Sequence, residues 1–313
     1  MSMAARSPTS SLRPVTHPEV PPSENINLSM SQCIKIDELG SGSYGTVWRV
    51  MDPGDRLFAA KEVSLSDKRT KQLEQEIAVL SKFQHPNIVR YYGTDKDESK
   101  LYMFLEFVEL GSLSKLYSKL SDSGSGLPDS EASKYTRQIL QGLEYLHYKK
   151  VIHRDIKCAN ILVDTCGSVK LADFGLAKII EGSSGHSILG SLPWMSPEVF
   201  KANKSAQGYG IAADIWSLGC TVLEMLTGTA PDHSCDAERA LYSILPKIPV
   251  SLPTHPRDFI QRCLKVDPRG RPTATELLNH PFVQEEYARM TDPPTCATSQ
   301  TATELLNHLF MQE

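Results

Sequence analysis

The stretch His153-Arg154-Asp155-Ile156-Lys157-Cys158-Ala159-Asn160, followed by Asp173-Phe174-Gly175, restricts most what this sequence can become. Between its two halves lie Ile161-Leu162-Val163 and Val169-Lys170-Leu171, which read as a short strand pair turning at Gly167. An acid, a cation, an amide and a second acid are therefore set around one hairpin. Asp155 can accept a hydroxyl proton, and Lys157 can lie against a phosphate. Asn160 and Asp173 offer hard oxygen ligands of the kind Mg²⁺ takes alongside phosphate and water. Phosphoryl transfer needs this combination, because alignment and charge neutralisation count for more in it than covalent help.

A second set lies upstream. Gly40-Ser41-Gly42-Ser43-Tyr44-Gly45-Thr46-Val47 fits G-x-G-x-x-G-x-V, in which glycines let a strand-turn-strand backbone approach phosphates and donate N–H groups to them. A dinucleotide-binding fold would need a helix after the glycines, whereas β-branched and aromatic residues follow here. Lys61, expected at the end of the strand Phe58-Ala59-Ala60-Lys61, can reach phosphate oxygens, and Glu76 on the next helix can anchor its ammonium. Taken singly, a glycine-rich turn or an isolated Lys and Glu would be ordinary surface features. The order and context of the three motifs make them one site.

The rest of the chain is consistent with a soluble enzyme. Apolar residues make up 40% and charged residues 22%, and the formal net charge of −4 lacks the basic excess of a nucleic-acid or anionic-membrane binder. No apolar stretch is long enough to span a bilayer, so no membrane insertion is expected. Seven cysteines without C-x-x-C spacing argue against a disulfide framework or zinc site and fit an intracellular compartment, the cytoplasm first and the nucleus second.

Residues 1–30 are rich in Ser, Thr and Pro and read as a disordered tail. From Cys33, strands are expected at Ile34–Ile36, Thr46–Val50, Leu57–Ala60, Val89–Tyr92 and Leu101–Phe107, with a helix carrying Leu73, Ile77 and Leu80. After a hinge near Phe107 the texture turns helical, with Tyr135, Ile139, Leu143 and Leu146 on one helix face. The pattern is an α+β, two-lobed fold. A small β-rich lobe with one main helix covers about 31–107, and a larger α-rich lobe about 109–283. In the tail from 284 to 313, Thr301-Ala302-Thr303-Glu304-Leu305-Leu306-Asn307-His308 repeats Thr273–His280, a duplication too short to build a solenoid.

With these motifs in place the chain resembles a eukaryotic protein kinase over about residues 36–283. Ser196-Pro197-Glu198 stands where the family has Ala-Pro-Glu, Asp214–Gly219 matches the helix behind the catalytic loop, and Arg271 matches the arginine that pairs with Glu198. The resemblance implies ATP and Mg²⁺. It assigns the nucleotide site to Leu39, Gly40, Ser41, Gly42, Ser43, Tyr44, Gly45, Val47, Ala59, Lys61, Glu106, Val108 and Leu162, with Leu105 as gatekeeper. Asp155, Lys157, Lys61 and Glu76 become the catalytic set, and Asn160 and Asp173 the metal ligands. "HRDIKCANILVDTCGSVKLADFGLAK" and "ADIWSLGCTVLEMLTG" are most similar to MEKK-type MAP kinase kinase kinases of plants. That implies phosphorylation of MAP kinase kinases on Ser and Thr, with an upstream activator or scaffold as further partner. Lys157 two residues past Asp155 is the Ser/Thr arrangement. A pseudokinase or scaffold using the same fold is the alternative.

Two places depart from the family. Gly190-Ser191-Leu192-Pro193-Trp194-Met195 replaces Gly-Thr-Pro-aromatic-Trp-Met, so Pro, which fixes φ, is displaced in the loop facing the substrate. Leu245–Pro249 is shorter than the family's Gly-containing link. In the activation segment, Ser191 is expected to bond Asp155 and Lys157. Ser187 is a candidate phosphorylation site whose charge Arg154 and Lys178 would receive.

Overall fold

The computed structural model describes residues 28–42, 45–65, 70–120, 126–180, 190–200, 210–231, 245–284 and 289. The first 27 residues, Ser187 and the second copy of the duplicated segment lie outside them.

Five strands form the smaller lobe: β1 (Ile34–Gly42), β2 (Gly45–Met51), β3 (Leu57–Ser64), β4 (Tyr91–Lys96) and β5 (Lys100–Glu106). They make one antiparallel sheet in the order β1-β2-β3-β5-β4. Side chains alternate across a strand, so each strand splits its residues between two faces. Phe58 and Ala60 of β3 join Tyr102 and Phe104 of β5 and Val50 in an outer cluster, capped by Leu28 from the segment before β1. Ala59 and Val63 point the other way, with Leu101, Met103 and Leu105, and meet Leu73, Val79 and Leu80 of α1 (Thr70–Leu80) in the main core. Lys61 has the parity of Ala59 and Val63. The same alternation that builds the two apolar layers thus aims its ammonium at α1.

Two boundaries differ from the sequence reading. β3 does not stop at Lys61 but runs on to Ser64, because Glu62 and Ser64 keep pairing with β5. The strand expected at Val89–Tyr92 begins only at Tyr91, because the Val89 N–H is taken by the Leu171 carbonyl at 2.9 Å in the other lobe. Gly45 shows why the tip of the first hairpin must be glycine: its φ is +107°, and a Cβ there would lie 2.4 Å from the Glu62 carbonyl oxygen.

The larger lobe contains α2 (Leu113–Leu120), α3 (Asp129–Tyr148), α4 (Pro197–Phe200), α5 (Ala212–Thr227), α6 (Thr254–Cys263) and α7 (Ala274–Leu277). Its small strands are β6 (Val151–Ile152), β7 (Ile161–Val163), β8 (Val169–Leu171) and β9 (Lys178–Ile179), pairing β6 with β9 and β7 with β8. Asp129 and Glu131 in the first turn of α3 suit the positive end of the helix dipole. Its Tyr135, Ile139, Leu143 and Leu146 are all buried, as the spacing predicts. α5 is different. From Ala213 to Met225 every residue is buried, so it is a central helix with no solvent face. Gly228, left-handed at φ 69°, ends it by donating its N–H to the Glu224 carbonyl. Near the bottom of the lobe, α7 opens with a capping box in which Thr273 and Glu276 satisfy each other's backbone N–H.

Arg271 and Glu198 close the base of the lobe. The guanidinium, whose side chain is wholly buried, donates to both Glu198 oxygens at 2.6 and 2.8 Å, and to the Ala212 carbonyl at 2.8 Å. Removing one partner leaves a buried charge without its counterion. Glu198→Ala is therefore expected to lower stability by about 3–5 kcal/mol. Arg269→Ala, which breaks the exposed pair with Asp267, should leave the urea midpoint unchanged. Equal midpoints for the two variants would contradict this assignment.

Candidate active site

Arg154 and Asp173 have left-handed backbones, at φ 70° and 58°. Non-glycine residues rarely adopt this conformation, and it persists only where surrounding contacts enforce it. For Arg154 those contacts come from Asp214, which is fully buried in α5. One Asp214 oxygen accepts the Arg154 N–H at 2.9 Å, and the other accepts the His153 N–H at 2.9 Å and faces His147 Nε2 at 3.0 Å. Burial alone would raise the pKa of Asp214, but the bonds from His147 and the loop outweigh it and hold the carboxyl below its usual range.

His153 is also fully buried, and burial drives its pKa down, so the ring is neutral near pH 7. Its partners then fix the tautomer: Nε2–H donates to the Ala172 carbonyl at 3.1 Å, while Nδ1 accepts from the Asp155 N–H at 3.4 Å. The ring packs edge-on against Phe174 with centroids 4.8 Å apart. His153 thus joins the strand-turn carrying Asp155 to the turn carrying Asp173.

Asp155 is 4% exposed and makes contacts on both oxygens. Oδ1 accepts from the hydroxyl of Ser191 at 2.8 Å and from its N–H at 3.1 Å. Oδ2 accepts from Asn160 Nδ2 at 2.7 Å and pairs with Lys157 Nζ at 2.9 Å. Lys157 Nζ also donates to Ser191 Oγ at 2.5 Å. Burial pushes the Asp155 pKa up, yet the Lys157 bond and charge, with Ser191, bring it below the ordinary value. Gly190 makes this approach feasible: its φ is +129°, and a Cβ would lie 2.8 Å from the Arg154 carbonyl oxygen.

Across the cleft, Lys61 Nζ sits 2.6 Å from Glu76 Oε2 and 3.3 Å from Asp173 Oδ1. Burial disfavours the ammonium, but the two carboxylates prevail and raise the Lys61 pKa, so it stays charged. Asn160 spends its amide nitrogen on the Asp155 carbonyl and carboxylate, which leaves its side-chain oxygen for a ligand. Among the described residues no three His, Cys, Asp or Glu side chains gather into a metal cage. Asn160 and Asp173 alone therefore fit an ion that brings its remaining oxygens with it, as Mg²⁺ does with nucleotide phosphates and water.

Leu39, Val47, Ala59 and Leu105 belong to one apolar surface, with Val108 buried where the chain passes between lobes. Leu162 is half-buried on the face of β7 opposite Ile161 and Val163. The Glu106 side chain is engaged elsewhere, by Lys170 Nζ at 3.0 Å and the Arg90 N–H at 3.1 Å, and its N–H donates to the Arg90 carbonyl at 2.8 Å, which leaves neither the carboxylate nor the N–H for a base. Gly40, Ser41 and Gly42 end β1, and Ser43 and Tyr44 lie outside the described residues. So does Ser187, while the Arg154 Nε expected to receive its charge donates to the Leu176 carbonyl.

Three residues that the sequence reading passed over belong here. Gln72 of α1 donates to the Gly175 carbonyl at 3.1 Å, His147 braces Asp214, and Glu224 bonds the Cys158 N–H at 3.1 Å. Only Glu224 had a signal, as a lone carboxylate within an otherwise apolar helix.

Two lobes joined by one crossing, with a cation–carboxylate set on each side of the cleft, are the arrangement of a protein kinase domain. The family model for the protein kinase domain matches residues 33–283, and the chain belongs to that family. Over 256 residues it is 54% identical to Mitogen-activated protein kinase kinase kinase 1 of Arabidopsis thaliana, covering 79% of this chain and 41% of that protein. Mitogen-activated protein kinase kinase kinase 9 of the same plant is 52% identical over 79% of this chain and 32% of its own length. Mitogen-activated protein kinase kinase kinase 1b of Physcomitrium patens is 49% identical over 80% of this chain and 33% of its own. The chain thus spans less than half the length of these relatives.

Lys157 has a consequence in pH. A carboxyl with a depressed pKa stays ionised until the pH falls through that low value. Without the neighbouring ammonium, burial dominates and the pKa rises. Lys157→Met is expected to move the acid limb of the kcat/KM profile for phosphotransfer to higher pH, with little change in the alkaline limb. An unmoved acid limb would mean that Lys157 does not set the charge of Asp155.

Proposed function

We propose that this chain is the catalytic part of a serine/threonine protein kinase that transfers the γ-phosphoryl group of ATP to MAP kinase kinases. The observation that carries the reading is the Asp155 cluster. One carboxylate oxygen holds the Ser191 hydroxyl at 2.8 Å, and Lys157 bridges the same pair. A protein hydroxyl entering beside Ser191 would find an ionised acceptor next to a cation.

In this reading Asp155 accepts the hydroxyl proton as the new O–P bond forms, and the electron pair of the broken γ–β bridge leaves with ADP. Lys157 balances charge on the transferring group. Lys61, held by Glu76, orients the inner phosphates from the smaller lobe. When bound with ATP, Mg²⁺ neutralises phosphate oxygens, and Asn160 and Asp173 are the residues that would hold it. Leu39, Val47, Ala59, Leu105, Val108 and Leu162 enclose the base. The fully formed Lys61–Glu76 pair at 2.6 Å favours this over a scaffold that merely retains the fold. The names of the relatives, together with identities near 50%, support the level in the cascade. Among the described residues no helix is long and apolar enough to cross a membrane.

The test is a panel of MAP kinase kinases incubated with the chain, ATP and Mg²⁺, beside a generic basic protein. Phosphate on Ser or Thr of at least one panel member, at a higher kcat/KM than on the generic protein, is expected. Lys61→Met should fall below about a tenth of wild-type activity while remaining folded. Asp155→Asn should lose turnover yet keep ATP affinity, whereas Asp173→Asn should make activity depend more steeply on Mg²⁺. Phosphorylation of the generic protein alone would overturn the substrate, and no phosphorylation at all would restore the scaffold reading.

A further inference from the structure

Thr301–Glu313 repeats Thr273–Glu285 except at two positions, where Leu309 stands for Pro281 and Met311 for Val283. The phosphotransfer chemistry uses neither copy. What the first copy does in the fold decides what the second can do.

The first copy fills a groove between α3 and α6 at the base of the larger lobe. Thr273 and Glu276 form the capping box that starts α7, and Ala274, Leu277, His280, Phe282 and Val283 are all buried. Phe282 lies against Phe259 of α6 with ring centroids 5.4 Å apart. His280 Nδ1 accepts the Phe282 N–H at 3.1 Å, and its Nε2 faces the Asp258 carboxylate at 2.9 Å. From α3, Ser133 Oγ donates to the Phe282 carbonyl at 2.6 Å, and Arg137 Nη1 to the Val283 carbonyl at 3.2 Å. Thr275 Oγ1 donates to Glu144 of the same helix at 2.7 Å.

Every side chain of that segment named here recurs 28 residues later, except Val283. The bonds from Ser133 and Arg137 end on backbone carbonyls, which any residue supplies. Pro281 is exposed and opens the 3₁₀ turn Pro281–Val283, a position where the N–H that a leucine adds needs no partner within the turn. Methionine, in place of the buried Val283, is longer but unbranched and adapts to irregular space. The duplication therefore preserves the buried, groove-filling residues and not merely a polar surface.

We propose that this groove has two occupants encoded in one chain: Thr273–Gln284 by default, and Thr301–Gln312 when the first copy is lost from it. The default follows from connectivity. The first copy continues directly from Arg271, which is anchored on Glu198, whereas seating the second closes a loop of 28 residues. The entropy of that closure rises only slowly with loop length, and burial of Leu305, His308, Phe310 and Met311 opposes it. A tether of this kind gives the second copy an effective concentration on the order of millimolar, which favours it over the same segment from a neighbouring molecule. The base of the lobe, with its Arg271–Glu198 closure, thus survives eviction of the segment that normally fills the groove.

The test uses the full chain in four forms. Leu277→Asp with Phe282→Asp disables the first copy, because an unpaired carboxylate is too costly to bury. Leu305→Asp with Phe310→Asp disables the second, and all four substitutions disable both. Amide hydrogen exchange read by mass spectrometry follows the two segments separately. In the wild type, amides of 274–284 should be protected and those of 302–312 should exchange freely. Disabling the first copy should reverse this pattern and lower the melting temperature by only about 10 °C. Disabling the second alone should leave both the melting temperature and the protection of 274–284 unchanged. The fourfold variant should lose protection in both segments and melt at least about 10 °C lower again.

A first-copy variant that fails to fold, that leaves 302–312 unprotected, or that is no more stable than the fourfold variant would overturn the proposal. Sedimentation of the first-copy variant should show a monomer at every concentration. A dimer whose 302–312 amides are protected would mean that the segment is exchanged between two chains, which contradicts occupancy within one. None of these readouts depends on phosphotransfer, so the outcome is separate from that of the kinase reading.

Discussion

A single stripe of polar side chains on an otherwise apolar helix carries the catalytic geometry. α5 is buried on every side, yet Asp214, Ser217, Thr221 and Glu224 recur along it at spacings that keep them near one face. Asp214 takes the N–H groups of His153 and Arg154, and Thr221 Oγ1 donates to the Ile156 carbonyl at 3.2 Å. Glu224 takes the Cys158 N–H. The loop that presents Asp155 and Lys157 is therefore pegged at intervals to the most buried helix of the domain. Without those pegs, the left-handed backbone of Arg154 would relax.

The two lobes do different work with their charges. In the smaller lobe the alternation of β3 alone aims Lys61, and Glu76 keeps it ionised. In the larger lobe Asp155 is held ionised against its own burial by Lys157 and Ser191. His153 must be neutral to serve as both donor and acceptor between the two acidic turns, and its complete burial keeps it so. At Lys61, Asp155 and Asp214 named neighbours outweigh burial, whereas at His153 burial prevails. Asp155 and Asp214, held below the usual carboxylate range, stay ionised until the pH falls through those lowered values.

Much of this was legible in the sequence because the motifs carry their own backbone context. The strand parity around Lys61, the hairpin between Asn160 and Asp173 and the stripe Tyr135–Leu146 all follow from period two or period 3.6. What the sequence hid were partners supplied by distant segments. Val89 reads as strand but is claimed by the Leu171 carbonyl of the other lobe, and nothing local in the sequence foretells that the Glu106 side chain is bound to Lys170. Gln72 and His147 are ordinary helical residues until folding brings them to Gly175 and Asp214. Periodicity reports which way a side chain faces, and these contacts depend on what arrives to meet it.

If the catalytic loop is rigid because α5 holds it, amide hydrogen exchange at His153 and Arg154 shows it most directly. Both N–H groups lie in a loop, yet in the wild type they should exchange as slowly as the interior of α5. In Asp214→Asn, where one oxygen and the charge are lost, protection at these two amides should collapse while α5 itself stays protected. Rapid exchange of both amides in the wild type would contradict the claim, as would unchanged protection in the variant.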